Sequence, residues 1–431
     1  MIRSERWKAA AAPVIIAAAV AVIYARATAA YFFDDDFHWL AGAPSFSVAG
    51  FFDLSRYNHF YRPVIETYFF VGWTLFGCDP FPFHLASIGI HLLTTTAVFM
   101  LATTVSQSRL YGALAAVFFA VLPGFTDAVT WIAAITDQLP ALWYVLTVWA
   151  HLRFLKTRRP VFMASSLAFF ILCLLTHESS ATLLAMMGLA VIVFVESGPL
   201  GVRARSLARG WVIYLPYALL LIAYLVIEWI VNTRSYVVRE GHYALGWHAV
   251  PNILKYFIWL YVGERALLDY ILVIAAVVAI AARGTPRGRF TLLWIVISLL
   301  PVAFFTWDPA PRYLYLPAVG FAMLLADLTV AGYRWAARRL TARQAGVAVG
   351  VVAAALAIRF GVFAKKAADS FPGRAAHYER FATELRRANP LVTPGGTVEI
   401  DSAFVEGVPA LYLEPAASIA FCVPHVRVRL R

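Results

Sequence analysis

Residues 9–39 read AAAAPVIIAAAVAVIYARATAAYFFDDDFHW, an apolar run that ends in three consecutive carboxylates. The part from 9 to 30 is about as long as the ~20 residues that a helix needs to cross the hydrocarbon core of a bilayer. It follows a basic segment, residues 3–8, as the apolar part of a cleaved signal peptide would. We favour an uncleaved first transmembrane helix, which places Asp34–Asp36 at the edge of the membrane.

The composition is that of an integral membrane protein. Of the 431 residues, 61% are hydrophobic and only 14% are charged, whereas soluble domains are about half apolar and a quarter charged. The formal net charge of +12 is compatible with nucleic-acid binding. However, the basic residues occur in short clusters between apolar runs, which is typical of the cytoplasmic loops of membrane proteins. We therefore expect no nucleic-acid partner.

Apolar runs of near-spanning length occur at 9–30, 83–105, 109–122, 138–155, 160–176, 179–196, 210–231, 266–282, 290–306, 313–332 and 344–362. With the amino terminus in the cytoplasm, eleven spans place the Arg- and Lys-rich loops on the inside, as the positive-inside rule requires. The run 63–76 is shorter and contains Glu66, and counting it would break this parity, so we interpret it as re-entrant or interfacial. The sequence thus predicts an all-α polytopic membrane protein with about eleven transmembrane helices and external juxtamembrane helices.

The chain divides into a predicted transmembrane module, residues 1–362, and a small non-cytoplasmic tail, residues 363–431. The first external loop covers residues 31–82. Within the tail, we predict a helix near Ala375–Arg387 and, after a Pro-Gly turn, a strand at Thr397–Ile400.

Three cysteines are too few for a disulfide framework. Cys173 lies inside an apolar run, whereas Cys78 and Cys422 face the same compartment in the predicted topology. A disulfide between these two is therefore open. The sequence contains no Asn-x-Ser/Thr site, which is compatible with a bacterial inner membrane.

Asp34, Asp35 and Asp36 form the most informative chemical feature, between Phe33 and Phe37. Adjacent carboxylates repel one another, more strongly where water is excluded, so such a cluster usually serves a cation, a proton or a reacting hydroxyl. The alternative is a solvated run of loop charges. The position at a membrane boundary, among aromatic residues, favours a functional role.

At these residues the sequence resembles the GT-C glycosyltransferases, multi-span enzymes that take sugars from polyprenyl-phosphate carriers. An acidic pair in the first external loop is a hallmark of that family, and Asp35 and Asp36 match it best, with Asp34 as a further candidate. The resemblance implies that one such aspartate acts as the base on the acceptor, or helps to hold a metal in members that use one. A divalent cation at Asp35 and Asp36 therefore stays open.

Short motifs extend the resemblance to the transmembrane O-mannosyltransferases that carry tetratricopeptide repeats. The matching elements are, in order, Tyr61-Arg62-Pro63, Gly77-Cys78-Asp79-Pro80 with His84 and His91, the stretch Pro123–Asp137, His177-Glu178, and Arg312-Tyr313-Leu314-Tyr315-Leu316-Pro317. Asp127 departs from the Glu of those relatives, and His177 from their Lys. The tail is too short for a stable array of such repeats, so their acceptor is not assumed.

Three basic residues, Arg62, His177 and Arg312, lie at predicted outer helix ends, where a cation can reach a lipid phosphate. Snorkelling membrane anchors are the alternative role for the arginines. Tyr61 and Tyr313 adjoin the two arginines and are further candidates for substrate binding.

The remaining acidic candidates are Asp127, Asp137 and Glu178. Either aspartate is a candidate for a second acid in the site, or for a helix cap. Glu178 either orients His177 or merely pairs with it.

These features predict an inverting glycosyltransferase that uses a polyprenyl-phosphate-linked sugar donor. The acceptor is a hydroxyl of a protein, glycan or lipid on the non-cytoplasmic side. A transporter or flippase is the first alternative, but it would place ionisable groups at mid-membrane, often in repeated halves. A polysaccharide polymerase or ligase is the second, and it would not require an acidic cluster after the first helix. The expected location is a bacterial inner membrane, with the amino terminus cytoplasmic and the carboxyl terminus periplasmic.

Overall fold

The computed structural model describes residues 2–57 and 60–431, with side chains from Pro13 onward, so the basic segment 3–8 lies outside the described side chains. The chain is mostly helical. The helices are α1 (Ile2–Tyr24), α2 (Asp36–Gly42), α3 (Pro63–Phe76), α4 (Pro80–Ser106), α5 (Arg109–Val121), α6 (Thr126–Thr130), α7 (Ile135–Thr157), α8 (Pro160–Leu174), α9 (Leu183–Phe194), α10 (Leu200–Arg209), α11 (Trp211–Asn232), α12 (Tyr236–Arg239), α13 (Ala249–Leu260), α14 (Leu267–Arg283), α15 (Pro286–Ala303), α16 (Pro317–Ala336), α17 (Ala342–Ala388) and α18 (Ala410–Phe421). Two short strands, β1 (Thr397–Ile400) and β2 (Arg427–Leu430), pair in parallel.

Each of the predicted apolar runs lies on a helix, and the run 63–76 forms the separate helix α3. Among the described residues, four helices are long and apolar enough to cross a membrane: α4, α11, α15 and α17. A fifth arises if the bent pair Arg109–Val121 and Pro123–Thr130 is one broken span. The predicted all-α fold is therefore confirmed as a mostly helical one with apolar candidate spans, and it also contains the pair of short strands. The number of eleven spans stays a prediction.

Polar residues between the apolar runs set where several helices begin. The Asp79 carboxylate accepts a hydrogen bond from the Phe81 backbone N–H at 3.0 Å, directly before the apolar run of α4. The Ser108 hydroxyl accepts one from the Tyr111 N–H at 3.3 Å and starts α5. Such caps satisfy amide groups that would otherwise lack partners at a helix start.

The main core lies between α4, α5, α7, α8, α15 and α16. Some of its large side chains satisfy their polar atoms within the protein, as burial favours. The Trp294 Nε1–H donates to the Leu316 carbonyl at 3.0 Å. His91 lies 2.9 Å from the Tyr315 hydroxyl through its Nδ1 and 3.3 Å from the Ala120 carbonyl through its Nε2. These contacts hold α4 against the segment that follows α15.

The tail, residues 363–431, packs onto the first external loop, residues 31–82. α17 has 47 residues and is therefore about 70 Å long at 1.5 Å per residue. The helix continues without a break across the predicted domain boundary after residue 362. That division stays a prediction. A second core joins the loop to the tail, with Phe37 and Phe69 on one side and Phe381 and Ile400 on the other.

A disulfide bond joins Cys78, in the first external loop, to Cys422, directly after α18. The option that the sequence leaves open is therefore realised, with the two Cα atoms 5.7 Å apart. Cys173 is a buried free cysteine. The tail is thus attached to the first loop both by a shared apolar core and by a covalent bond between residues 344 positions apart in the chain.

Candidate active site

A cavity of about 650 Å³ lies between the first external loop, α11, α15 and the segments around residues 177 and 312. Its ionisable lining residues include Asp35, Arg62, His177, Glu178, Glu228 and Arg312. Its apolar lining includes Leu225, Pro301, Val302, Phe304 and Phe305. Side chains that the sequence analysis selects from distant segments therefore meet at one cavity with a partly apolar wall.

Asp36 holds the first external loop against the segment before α7. Its side chain is buried, and its two oxygens accept hydrogen bonds from the backbone N–H groups of Phe33 at 2.8 Å and Ala133 at 2.6 Å. Burial raises the pKa of Asp36 well above its usual range, although the two backbone hydrogen bonds oppose this shift. A carboxyl group whose oxygens are both occupied by backbone amides acts as a structural clamp.

Asp34 and Asp35 are held by two tyrosines of the C-terminal segment. Tyr378 of α17 donates a hydrogen bond to Asp34 Oδ1 at 2.6 Å, and Tyr412 of α18 donates one to Asp35 Oδ1 at 2.6 Å. Asp34 has a φ of 46°, in the left-handed region that aspartate tolerates better than most residues. Of the three aspartates, Asp35 lines the cavity. It is therefore the member of the cluster best placed to meet a substrate.

Asp35 and Asp36, the candidates for a divalent cation, accept hydrogen bonds from other parts of the protein. Among the residues that the structure describes, no group of three or more His, Cys, Asp or Glu is arranged to hold a metal ion. Both oxygens of Asp36 are occupied by amides, and one oxygen of Asp35 is occupied by a tyrosine hydroxyl. A divalent cation at Asp35 and Asp36 stays a prediction.

Arg62 and Glu178 form a bidentate ion pair. Arg62 Nε lies 3.0 Å from Glu178 Oε1, and Arg62 Nη2 lies 2.7 Å from Oε2. The guanidinium also stacks over the Phe60 ring at 4.1 Å. Burial alone would raise the pKa of Glu178, but the charge of Arg62 lowers it below its ordinary value. The pair fixes the start of α3 to the segment after α8.

Breaking this pair on one side is expected to destabilise the protein. The side chains of Arg62 and Glu178 are 11% and 24% exposed, so Arg62→Ala leaves a carboxylate in a poorly solvated place and should cost about 3 kcal/mol. Equilibrium denaturation in mixed micelles measures this loss. The double variant Arg62→Ala/Glu178→Ala should lose clearly less, and an equal loss would contradict the ion-pair interpretation.

His177 is predicted as a cation for a phosphate, but its surroundings favour the neutral ring. It is 8% exposed, and burial together with the charge of Arg62 lowers its pKa to about 3. Its Nδ1 accepts a hydrogen bond from the Ser179 backbone N–H at 3.1 Å. The proton of the neutral ring therefore sits on Nε2, so His177 can donate a hydrogen bond but adds no positive charge.

Arg312 is held less tightly by its acidic partner than Arg62 is. Its side chain is 28% exposed and its guanidinium lies between two aromatic rings, 4.8 Å from the centre of Trp131 and 4.7 Å from that of Tyr313. Its Nε is 3.5 Å from Asp137 Oδ2, longer than either contact of Arg62 with Glu178. The stacked position leaves the planar group suited to bind a second anion.

Asp137 gives the site a pH dependence that a variant can isolate. It directly precedes the predicted span 138–155, and burial raises its pKa from the ordinary 3.8 to about 6, although Arg312 and Arg62 oppose the shift. Between these pH values the folded chain holds a proton that the unfolded chain has released. The free energy of unfolding should therefore fall as the pH rises through this window. Asp137→Asn should remove that part of the slope, and denaturation at pH 4, 5 and 6 compares the two proteins. An unchanged slope would contradict this assignment.

Tyr61 and Asp127 are two of the predicted site residues that do not line the cavity. The Tyr61 hydroxyl donates a hydrogen bond to the Phe51 carbonyl at 3.3 Å within the first external loop. Asp127 pairs with Arg374 of α17 at 2.8 Å. Neither residue is among the lining residues of the cavity. Both residues thus contact other segments of the protein, and their roles in substrate binding stay predictions.

The sequence did not single out Glu228, which also lines the cavity. Glu228 is 6% exposed and accepts a hydrogen bond from Asn232 at 2.8 Å, one turn later on α11, while its Oε1 is buried without a partner. The available signal was a lone carboxylate inside the apolar run 210–231, because ionisable residues within predicted spans often mark functional sites.

Comparisons with known proteins agree with this architecture. No protein-family profile matches the chain. A stretch of 133 residues, 31% of the chain, is 26% identical to the protein O-mannosyl-transferase Tmtc1 of Drosophila melanogaster and spans only 16% of that protein's length.

Two solved structures are similar over nearly the whole chain. ArnT from Cupriavidus metallidurans, bound to undecaprenyl phosphate, superposes with a TM-score of 0.57 at 15% identity, over 97% of this chain and 85% of that one. The archaeal oligosaccharyltransferase AglB from Archaeoglobus fulgidus, in complex with an inhibitory peptide and a dolichol-phosphate, gives 0.56 at 12% identity, over 98% and 65%. The chain therefore has the fold of ArnT and AglB, as the resemblance of its sequence to the GT-C glycosyltransferases predicts.

Proposed function

We propose that the chain is an inverting glycosyltransferase that moves a sugar from a polyprenyl-phosphate-linked donor to an acceptor hydroxyl. The observation that carries this proposal is that Asp35 and Arg312 line the same cavity, together with the Arg62–Glu178 pair and His177. The structural neighbours were solved with undecaprenyl phosphate and with a dolichol-phosphate, and the matched relative is an O-mannosyl-transferase. These names support a lipid-linked donor.

The donor would lie with its phosphate at Arg312 and its prenyl chain along the apolar wall. Leu225 of α11 and Val302 of α15 belong to that wall, and both helices are apolar enough to cross a membrane. A prenyl chain could therefore pass from the lipid to the cavity along apolar surface, where burial favours it. Arg62 is less suited to the phosphate because Glu178 already occupies its Nε and Nη2.

Asp35 would act as the general base. As the acceptor oxygen forms its bond to the sugar C1, its proton passes to the Asp35 carboxylate, and the bond from C1 to the phosphate oxygen breaks. The electron pair of that bond leaves with the polyprenyl phosphate, and attack from the opposite face inverts the anomeric carbon. Arg312 stabilises the charge that grows on the departing phosphate, and the His177 Nε2–H is a further donor at the cavity.

The reaction would take place on the non-cytoplasmic side. Disulfides persist in oxidising compartments such as the bacterial periplasm, and the Cys78–Cys422 bond joins the first external loop to the tail. The basic loops between the apolar runs would then face the cytoplasm. This supports a bacterial inner-membrane protein with a cytoplasmic amino terminus and a periplasmic carboxyl terminus.

Purified protein in liposomes tests the function directly. The assay supplies polyprenyl-phosphate sugars of several kinds with protein, glycan and lipid acceptors. We expect a glycosidic product whose anomeric configuration, read by NMR, is opposite to that of the donor. Retained configuration would contradict the one-step mechanism. Movement of the lipid-linked sugar across the bilayer without any glycosidic product would instead favour the flippase alternative.

A further inference from the structure

We propose that the C-terminal segment completes the active site, with Tyr412 as a positioning residue for Asp35. This inference rests on the proposed function, since it assigns Tyr412 a role through the residue that acts as the base. The disulfide and the packing of α18 keep Tyr412 in contact with Asp35. The part of the tail beyond residue 388 therefore belongs to the catalytic unit.

The hydrogen bond from Tyr412 occupies one of the two carboxylate oxygens of Asp35. The Tyr412 hydroxyl lies 2.6 Å from Asp35 Oδ1, and no further hydrogen bond reaches the Asp35 carboxylate from the residues that the structure describes. One oxygen is thus anchored while the other is left for the proton of an acceptor. Asp35 also directly precedes α2, which fixes its backbone. A base with one anchored oxygen keeps a single orientation towards the cavity, which proton transfer requires.

Tyr412 is itself held on two sides. Its ring centre lies 5.1 Å from that of His38 on α2 and 6.4 Å from that of Tyr378 on α17. Tyr378 makes the equivalent hydrogen bond to Asp34, also at 2.6 Å. Two tyrosines from the tail therefore anchor two neighbouring aspartates of the first loop.

A shared apolar core and the disulfide hold the tail in this position. α18 packs against α2, and Ala417 and Ile419 are buried in the core that also contains Phe37 and Leu40. The Cys78–Cys422 bond lies at the C-terminal end of α18. The shared core supplies the docking surface, and the disulfide prevents its separation.

The first test is Tyr412→Phe, which keeps the ring and removes the hydroxyl. Hydrogen bonds to charged groups are worth about 10- to 100-fold in equilibrium terms, so we expect kcat for sugar transfer to fall about 10-fold or more. The KM for the donor should not change, because Tyr412 does not line the cavity. Tyr68→Phe is the matched control, since Tyr68 is a tyrosine that makes no hydrogen bond to Asp34, Asp35 or Asp36 among the described residues and does not line the cavity, and it should keep the wild-type kcat. A kcat for Tyr412→Phe equal to that of the control would overturn the proposal.

The second test asks whether the disulfide acts through the same contact. Cys78→Ser/Cys422→Ser should lower kcat, and adding Tyr412→Phe should cause little further loss, because both changes release the same carboxylate. Multiplicative losses would overturn the proposed link. Loss of transfer in Asp35→Asn with a normal Tyr412→Phe would refute the positioning role alone. Normal transfer in both would refute the proposed function as well.

Discussion

Asp35→Asn is expected to lower the rate of sugar transfer by about 10²- to 10⁴-fold, the usual contribution of a positioned general base. The amide has the size of the carboxylate and can still accept the hydrogen bond of Tyr412, but it cannot take the proton of an acceptor hydroxyl. Single-turnover transfer from a polyprenyl-phosphate donor by purified protein measures the effect. The melting temperature should stay close to that of the wild type.

Asp127→Asn is the matched control for this variant. Asp127 pairs with Arg374 outside the cavity, with side chains 30% and 42% exposed, and such pairs contribute at most about 1 kcal/mol. Transfer should therefore stay near the wild-type rate. Comparable losses in the two variants would show that the measured effect is not specific to Asp35.

Arg312→Gln is expected to lower kcat by about 10²- to 10³-fold, as removal of a preorganised group at a developing anion does. The guanidinium lies close to the rings of Trp131 and Tyr313 and donates a hydrogen bond to the Tyr313 hydroxyl at 3.1 Å, but its ion pair with Asp137 is long, at 3.5 Å. It can therefore turn towards a phosphate without first breaking a tight pair. Steady-state kinetics with varied donor concentration measures the change.

Arg265→Gln supplies the control for a stacked arginine. Arg265 lies 4.1 Å over the Trp259 ring, and it is absent from the lining of the cavity. Its loss should leave kcat within about 2-fold of the wild type, since surface substitutions rarely exceed ±0.5 kcal/mol. A small effect of Arg312→Gln, comparable to that of Arg265→Gln, would remove Arg312 from the mechanism.

Much of the fold follows from the sequence because apolar run length and loop charge are local properties. The run 63–76 was expected to be a separate helix, and the structure has α3 at Pro63–Phe76. The strand Thr397–Ile400 also appears as predicted. The course of α17 was less accessible, since its apolar part ends near residue 362 while the helix continues to Ala388 on residues that pack against the first loop.

The candidate site was predicted in part. Asp35, Arg62, His177 and Arg312 come from four distant segments, and the structure brings them to one cavity. The sequence predicts that grouping because all four residues lie in motifs that resemble those of one family. The sequence does not predict the division of roles within the Asp cluster. Those roles depend on which carboxyl group accepts hydrogen bonds from backbone amides, and no sequence signal distinguishes neighbouring residues of one loop in this respect.

Other features depend on tertiary burial alone. The neutral state of His177 results from its enclosure beside Arg62, which no spacing reveals. Tyr378 and Tyr412 contact aspartates more than 300 residues away in the chain, and a tyrosine in a polar tail is unremarkable in sequence. Glu228 is the exception, because a lone carboxylate in the apolar run 210–231 was visible from the start.

Binding of polyprenyl phosphate to the wild type, Asp35→Asn and Arg312→Gln, measured by titration in nanodiscs, tests most directly whether one cavity holds both the lipid phosphate and the base. We expect Asp35→Asn to bind with the wild-type Kd while transferring sugar about 10²- to 10⁴-fold more slowly. Arg312→Gln should bind at least about 10-fold more weakly, the loss of one charge-assisted hydrogen bond. Equal binding by all three proteins, or full transfer by Asp35→Asn, would contradict the account.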